Sequence, residues 1–131
     1  MLGIDTNVLV RFVVRDDEPQ YDKVRRLIRR QLQAGEPVFV SQLVLLETEW
    51  VLRSRYDIQK DSMIAVITGL LDSLDVQLED EPSIEAAVNV WKESTAGFAD
   101  CLIGIRNQRL GCMSTVTFDA KALKLPGFTS A

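Results

Sequence analysis

The sequence predicts an α/β protein whose parallel, doubly wound sheet is flanked by helices. Short apolar runs of strand length alternate along the chain with stretches whose apolar residues recur every three or four positions. This alternation is typical of βα units. Right-handed crossovers place the C-terminal ends of all the strands at one edge of such a sheet, and ligands bind outside that edge. Residues that directly follow a strand are therefore the first candidates for function.

The opening of the chain places a carboxylate at this edge. Residues 2–4 are a short apolar run, Asp5 follows them, and residues 8–13 have the spacing of an amphipathic helix. Asp5 is therefore expected at the functional edge of the sheet. Because Asp-Thr-Asn is also a good helix N-cap sequence, a purely structural role for Asp5 remains open at this point.

The second predicted helix is strongly basic. Residues 16–19 supply the acidic side chains and the proline of a first turn, and the helical pattern continues to Gly35. The polar face of this helix carries five cations: Lys23, Arg25, Arg26, Arg29 and Arg30. A solvated face and a surface for RNA phosphates both fit this pattern.

The third predicted helix contains the second unusual carboxylate. A strand over residues 37–40 precedes this helix, which is predicted from Gln42 to about Arg55. Glu47 shares a face with four apolar residues, Leu43, Val44, Trp50 and Val51. A carboxylate within an apolar stripe is costly without a partner, although Glu47 is also acceptable as a residue at the boundary of the core.

Two neighbouring features of this helix receive structural interpretations. Glu49, with Arg53 four residues later, is expected to form an ordinary exposed ion pair. Trp50, like Trp91 in a later helix, could stack on a nucleic-acid base, but both lie on apolar helix faces and are expected in the core.

The remaining elements follow the same alternation. A fourth helix is predicted around residues 63–71, a strand at 76–78 and a fifth helix around 84–91. The acidic run at 79–83 is expected to be a solvated loop that caps the fifth helix.

The last third of the chain adds two more carboxylates. Asp100 lies near the start of a helix that opens at residues 96–105, among small and apolar neighbours. The helix dipole stabilises an acid in a first turn by about 0.3–1 kcal/mol, but it does not explain the small residues around Asp100. Close approach of a ligand or of a second backbone explains both. Asp119 directly follows a predicted strand at 114–118 and precedes a predicted helix, which repeats the opening layout.

Composition narrows the chemistry. The chain has 131 residues, which suits one domain over residues 1–131, and a net charge of −4, which argues against a generally cationic nucleic-acid binder. It contains no histidine, which excludes Ser-His-Asp and Cys-His nucleophile systems and the common zinc sites. Carboxylates are hard oxygen ligands, so they point to Mg²⁺ or Mn²⁺.

The same sequence predicts a cytoplasmic protein. Cys101 and Cys112 lie in apolar surroundings and are expected to be reduced cysteines of a core. No basic region precedes an apolar run at the N-terminus, and no stretch approaches the ~20 apolar residues of a membrane span.

Four carboxylates are therefore expected to meet at one edge of the sheet: Asp5, Glu47, Asp100 and Asp119. Because they repel one another, some would hold protons at neutral pH unless a divalent cation relieved the repulsion. Such a cation can polarise a phosphate and activate a water for in-line attack. This predicts phosphodiester hydrolysis, and the basic helix would hold the flanking phosphates.

Four short motifs resemble those of PIN-domain ribonucleases, and their order and spacing are most similar to VapC-type toxins of type II toxin–antitoxin systems. The motifs cover essentially the whole chain: residues 4–9, Leu46-Glu47 with Trp50-Val51-Leu52, residues 98–103, and Thr117-Phe118-Asp119. The resemblance implies a PIN-like three-layer α/β/α fold with a short central parallel sheet of four to five strands. It also implies a Mg²⁺- or Mn²⁺-dependent endoribonuclease that blocks translation until its antitoxin inhibits it.

The resemblance assigns roles residue by residue. Asp5, Glu47, Asp100 and Asp119 become the metal-binding set, with Asp5 and Asp100 as direct ligands and a more variable role for Asp119. Thr6, Asn7 and Thr117 would orient these ligands by hydrogen bonding.

The resemblance also implies partners. They are a loop of transfer or ribosomal RNA, a second copy of the chain in a homodimer, and a VapB-type antitoxin whose C-terminal segment lies across the acidic pocket. The arginines expected to contact RNA phosphates are Arg11, Arg25, Arg26 and Arg29.

Two other functions remain to be weighed. A phosphatase or phosphotransferase would use Asp5 as a nucleophile, but such sites usually have a second Asp two residues later, where this chain has Asn7. A PIN-like module could bind RNA or protein without cutting, although such modules typically lose one of the acids.

Overall fold

Five short strands and six α-helices alternate along the chain in a computed structural model that describes all residues from 1 to 131. The predicted α/β class is confirmed, and all strand pairs are parallel. The five strands form a three-stranded sheet and a two-stranded sheet. The chain divides into two compact units, Met1–Glu79 and Asp80–Ala131, which are described separately. The single domain over residues 1–131 stays a prediction.

The first unit contains the three-stranded sheet in the order β1-β2-β3. Its strands pair Leu2 with Val38 and Val40 with Leu78. The elements are β1 (Leu2–Gly3), α1 (Thr6–Val14), α2 (Glu18–Gln33), β2 (Val38–Val40), α3 (Gln42–Arg55), α4 (Lys60–Asp72) and β3 (Val76–Leu78).

Burial of the β2 and β3 side chains fixes this sheet within the first unit. Val38, Val40, Val76 and Leu78 are all buried, as expected for parallel strands covered on both faces. Three helices of this unit, α1, α2 and α3, begin at side-chain caps, whereas α4 begins without one. Ser41 Oγ accepts the Val44 N–H at 3.2 Å and so starts α3 directly after β2.

The second unit contains two helices that pack against each other and the two-stranded sheet. It contains α5 (Glu81–Lys92), α6 (Phe98–Arg109), β4 (Thr115–Thr117), a 3-10 turn (Ala122–Lys124) and β5 (Phe128–Ser130). Trp91 and Phe98 pack with ring centroids 5.2 Å apart, which confirms the predicted core position of Trp91. The helix predicted after Asp119 is wrong, because only a 3-10 turn forms there and it ends at Lys124, two residues before Pro126.

Two features bear on the predicted cellular setting. Neither cysteine forms a disulfide; Cys101 is buried as predicted, whereas Cys112 is exposed. None of the helices combines the length and the apolar character that a bilayer span requires.

Gly104 allows β5 to pack on α6. A methyl group at Gly104 would lie 3.1 Å from Cζ of Phe128 and still closer to Cε1. The aromatic ring of β5 thus occupies the space that a side chain on α6 would need.

We expect Gly104→Ala to lower the free energy of unfolding by about 1 kcal/mol, because the Phe128 ring must move out of its packed position. Gly69→Ala in α4 is the matched control. A methyl group there meets nothing within 4 Å, so it should be neutral or stabilise by up to about 1 kcal/mol. Chemical denaturation of the two variants checks this, and equal responses would contradict the packing.

Asp80 connects the start of α5 to α6 inside the second unit. Its carboxylate accepts hydrogen bonds from the Ser83 hydroxyl at 2.7 Å and from Nη1 of Arg106 at 2.6 Å. These bonds, with that of Ser83 first, lower the pKa of Asp80 below its ordinary value. The acidic run at 79–83 therefore includes a structural ion pair as well as the predicted helix cap.

We expect Asp80→Ala to lower the free energy of unfolding by about 1–2 kcal/mol at neutral pH, because a helix cap and an ion pair are lost together. Since the folded pKa of Asp80 is lowered, its contribution is present above the unfolded value and is lost as the pH falls through the folded value. The difference between wild type and Asp80→Ala should therefore shrink in acid. Asp80→Asn keeps the cap and should lose less; a difference independent of pH would contradict the role of the charge.

Candidate active site

Asp5 lies immediately beyond β1, where the sequence predicts it. The N–H of Ile4 donates to the Phe39 carbonyl at 3.0 Å, so the pairing with β2 ends one residue before Asp5. The Asp5 side chain is exposed, and its Oδ1 accepts the Val8 N–H at 3.0 Å as the N-cap of α1. Oδ2 makes no hydrogen bond within the protein and is free to bind a ligand. The structural interpretation of Asp5 as a helix cap is confirmed, and its functional role stays a prediction.

Glu47 is held next to the start of α1. It lies in the second turn of α3, which packs against α1 in the first unit. The hydroxyl of Thr6, a buried residue, donates to Oε1 of Glu47. Asp5, Thr6 and Glu47 line one open cavity of about 470 Å³, together with Asn7, Val44, Trp50, Val51 and Arg55.

Glu47 shares a face of α3 with Val44, Trp50 and Val51, as predicted, but this apolar face does not lie in the core. The α3 face that carries it points outward, with Leu43 79% and Trp50 51% exposed, and Glu47 itself is exposed. The buried face consists instead of Leu45, Thr48, Glu49 and Leu52. Apolar residues occur on both faces of α3, so helical spacing alone could not select the one that faces the core. Glu47 therefore needs no buried partner and is available to a ligand.

The predicted exposure of Glu49 and the predicted core position of Trp50 are wrong for the same reason. Glu49 is 5% exposed, and its Oε2 accepts a hydrogen bond from Nε of Arg53 at 2.9 Å, so the predicted ion pair exists but its acid is buried. Trp50, expected in the core, lines the acidic cavity. The sequence favoured a core position for Trp50 over base stacking and gave no role to Arg55. Their spacing of three and eight residues from Glu47 was the available signal for the site.

Asp100 and Asp119 form a second pair of carboxylates, within the second unit. Asp100 lies in the first turn of α6 and is partly buried. Asp119 follows β4, is exposed, and accepts the backbone N–H groups of Lys121 at 2.8 Å and Ala122 at 3.0 Å. The Thr117 hydroxyl accepts the Asp119 N–H at 2.9 Å and so fixes the turn that presents Asp119.

The pKa values of Asp100 and Asp119 are shifted in opposite directions. Burial first, and repulsion by Asp119 second, raise the pKa of Asp100 above its ordinary value. The amide hydrogen bonds from Ala122 and Lys121 lower the pKa of Asp119. Asp119 therefore stays ionised, while Asp100 carries the unfavourable energy of a second negative charge in the same neighbourhood.

A side chain of the protein itself fills the space beside Gly104, one of the small residues near Asp100. The sequence favoured a ligand or a second backbone there, but Phe128 of β5 packs against Gly104. Gly104 is therefore explained by packing, and the case for Asp100 depends on its proximity to Asp119.

The predicted phosphate-binding arginines fall into two groups. Arg11 is held by a network of hydrogen bonds with Gln20, with Asp16 at 3.1 Å and with the Tyr56 hydroxyl at 3.2 Å. Arg25, Arg26 and Arg29 lie on the exposed face of α2 and form no ion pairs. Nε of Arg26 donates to the Asp22 carbonyl at 3.2 Å, and the terminal guanidinium nitrogens of all three side chains are available to an anionic ligand.

The chemistry of both pairs fits Mg²⁺ or Mn²⁺. Each pair presents carboxylate oxygens next to a threonine hydroxyl, and these ions prefer such hard donors. The raised pKa of Asp100 also indicates negative charge that a cation would offset. No group of three or more acidic or cysteine side chains is arranged to hold a metal ion. A single site built from both pairs stays a prediction.

Two comparisons with known proteins agree with the sequence motifs. A family model of the PIN domain matches residues 3–127. The chain is also 25% identical over 122 residues to a protein named VapC ribonuclease from Aquifex aeolicus (strain VF5). That alignment covers 93% of this chain and 90% of the relative.

We expect Asp100→Asn to raise the melting temperature of the metal-free protein. Because the folded pKa of Asp100 is raised, its ionised form destabilises the fold once the pH exceeds the unfolded value, and the neutral amide removes that term. The gain should be present at pH 7 and vanish near pH 3. Thermal unfolding in EDTA at both pH values measures it.

The partner variant provides the control. Asp119→Asn should lower the pKa of Asp100 toward its ordinary value, which carboxyl NMR titration can follow, because the Coulomb repulsion is removed. An unchanged Asp100 titration in Asp119→Asn would show that the two carboxylates do not interact.

Proposed function

We propose that this chain, which belongs to the PIN-domain family, is a Mg²⁺- or Mn²⁺-dependent endoribonuclease. The observation that carries the proposal is the pairing of Asp5 and Glu47 in one open cavity, fixed by the Thr6 hydroxyl. The similarity to a protein named VapC ribonuclease supports RNA as the substrate.

Asp5, Glu47, Asp100 and Asp119 are the proposed ligands of the cation. When bound, a divalent cation polarises the phosphate and lowers the pKa of a water molecule that attacks it. Oδ2 of Asp5 and the exposed carboxylate of Glu47 are the free donors in the first unit. The role of Asp119 depends on its second oxygen, since Oδ1 already accepts two amide hydrogen bonds.

Neighbouring side chains position these carboxylates. The Thr6 hydroxyl orients Glu47, and the Thr117 hydroxyl holds the backbone of Asp119. Asn7 lines the cavity beside Asp5, where its amide can orient a water or a phosphate oxygen.

The exposed cations of α2 are the proposed contacts to flanking RNA phosphates. Arg25, Arg26 and Arg29 are unpaired and are suited to this role. Arg11 belongs to the same predicted set, but its Nε and Nη1 are bonded to Gln20, Asp16 and Tyr56, which leaves Nη2 as the donor for a phosphate.

The cellular role we propose is that of a toxin in a type II toxin–antitoxin pair. The chain would act in the cytoplasm as a homodimer, cleave a loop of transfer or ribosomal RNA, and so block translation. A VapB-type antitoxin would inhibit it by covering the acidic cavity. The similarity to the Aquifex VapC ribonuclease supports this role.

Cleavage of total cellular RNA by the purified protein tests the activity. Wild type should produce discrete fragments with Mg²⁺ or Mn²⁺ and none with EDTA. Loss of groups that only orient metal ligands typically costs 10–100-fold, so Asp5→Asn and Glu47→Gln should reduce the rate by more than about 100-fold. Thr6→Val should lie within the 10–100-fold range, and Thr6→Ser should retain most activity.

Glu85→Gln is the matched control for Glu47→Gln. Glu85 is an exposed glutamate of α5, so its substitution makes the same change of charge without touching the proposed site. Equal cleavage by wild type and Asp5→Asn would reveal a contaminating nuclease. RNA binding without metal-dependent cleavage would favour a non-catalytic binding module.

A further inference from the structure

Trp50 places an aromatic surface inside the acidic cavity. It lies three residues after Glu47, on the same face of α3, and half of its surface is exposed. A single exposed aromatic residue would need no explanation. Trp50, however, lines the same cavity of about 470 Å³ as Asp5 and Glu47.

Arg55 adds an unpaired cation to the same cavity. It lies eight residues after Glu47 and so returns to the same side of α3 after two turns. Its side chain is exposed and forms no ion pair, whereas Arg53, two residues earlier, is bonded to Glu49. The cavity therefore combines a π-face, a free guanidinium and two carboxylates.

We propose that Trp50 stacks on a nucleobase of the RNA and that Arg55 binds a phosphate of the same strand, next to the Asp5–Glu47 pair. This inference rests on the proposed ribonuclease function and specifies the form of its substrate. A nucleotide offers both the flat apolar surface and the anionic group that these two side chains recognise.

The same geometry selects unpaired nucleotides. A base must leave its helical stack before a protein side chain can cover its face, which is how proteins bind single-stranded loops and ends. Stacking tolerates any base, so Trp50 supplies a preference for single strands rather than for a sequence.

A second copy of the chain is the competing occupant of this α3 face, because Leu43 is also exposed there. The observations favour RNA, because the charged groups of Glu47 and Arg55 flank Trp50. Burying unpaired charges in a protein interface is costly, whereas a nucleotide phosphate matches the guanidinium.

Intrinsic fluorescence tests the stacking directly. The chain has two tryptophans, and Trp91 is buried against Phe98, so a ligand in solution reaches Trp50. Titration with an unstructured RNA oligonucleotide of about ten nucleotides in EDTA should quench the wild-type emission. A duplex of the same sequence should quench it much less. Trp50→Phe should bind the single strand and show little change in emission.

Affinity and kinetics measure the contribution of each side chain. Trp50→Ala should weaken single-strand binding about 10-fold and raise the KM by a similar factor while kcat changes little. Arg55→Gln should weaken binding and reduce the slope of log K against log salt by about one. Leu43→Ala on α3 and Arg109→Gln, another exposed arginine, are the matched controls and should leave both quantities unchanged.

The outcomes separate this inference from the proposed function. Metal-dependent cleavage with unchanged binding by Trp50→Ala and Arg55→Gln would overturn the inference and leave the nuclease intact. Single-strand binding that depends on Trp50, without any cleavage, would support the RNA site and overturn the nuclease. Absence of RNA binding by wild type would overturn the inference. A lower oligomeric mass of Trp50→Ala with normal RNA binding would also overturn it, because this face of α3 would then be a protein interface.

Discussion

Repulsion between carboxylates is the constraint on which the candidate site depends, and three of the four acids accept a hydrogen bond from a local donor. Asp5 accepts the Val8 amide at the start of α1. Glu47 accepts the Thr6 hydroxyl, and Asp119 accepts two amides. Asp100 makes no such bond, and its pKa is raised by burial and by Asp119. The negative charge of Asp100 is therefore disfavoured in the protein alone, and a cation bound beside it would offset that charge.

Sequence patterns were sufficient for the elements but not for the orientation of α3. The strands and helices around Asp5, Glu47 and Asp100 begin and end near the predicted residues, because caps, prolines and periodicity are local signals. The buried face of α3 is a tertiary property, because apolar residues occur on both sides of that helix. The choice between them depends on which side packs in the core, and that choice exposes Glu47.

The C-terminal part of the second unit was the least predictable for a similar reason. Asp119 repeats the strand-then-acid layout of Asp5, yet only a 3-10 turn follows it, since Pro126 and Gly127 come too soon for a helix. β5 is short and exposed, so its sequence carries little strand signal. The need for glycine at position 104 becomes clear only from its spatial neighbour, Phe128, which lies 24 residues later in the chain.

Ion pairing distinguishes the structural cations from the free ones. Arg11, Arg15, Arg53 and Arg106 are each bonded to a carboxylate, although the chain as a whole is acidic. The α2 cations have no such partners, even though Arg25 and Arg29, like Arg26 and Arg30, are like charges four residues apart. Each such pair costs a helix about 0.2–0.5 kcal/mol. A protein with acidic side chains to spare could have neutralised this face, so the unpaired cations are better explained by an anionic partner outside the chain than by the stability of α2.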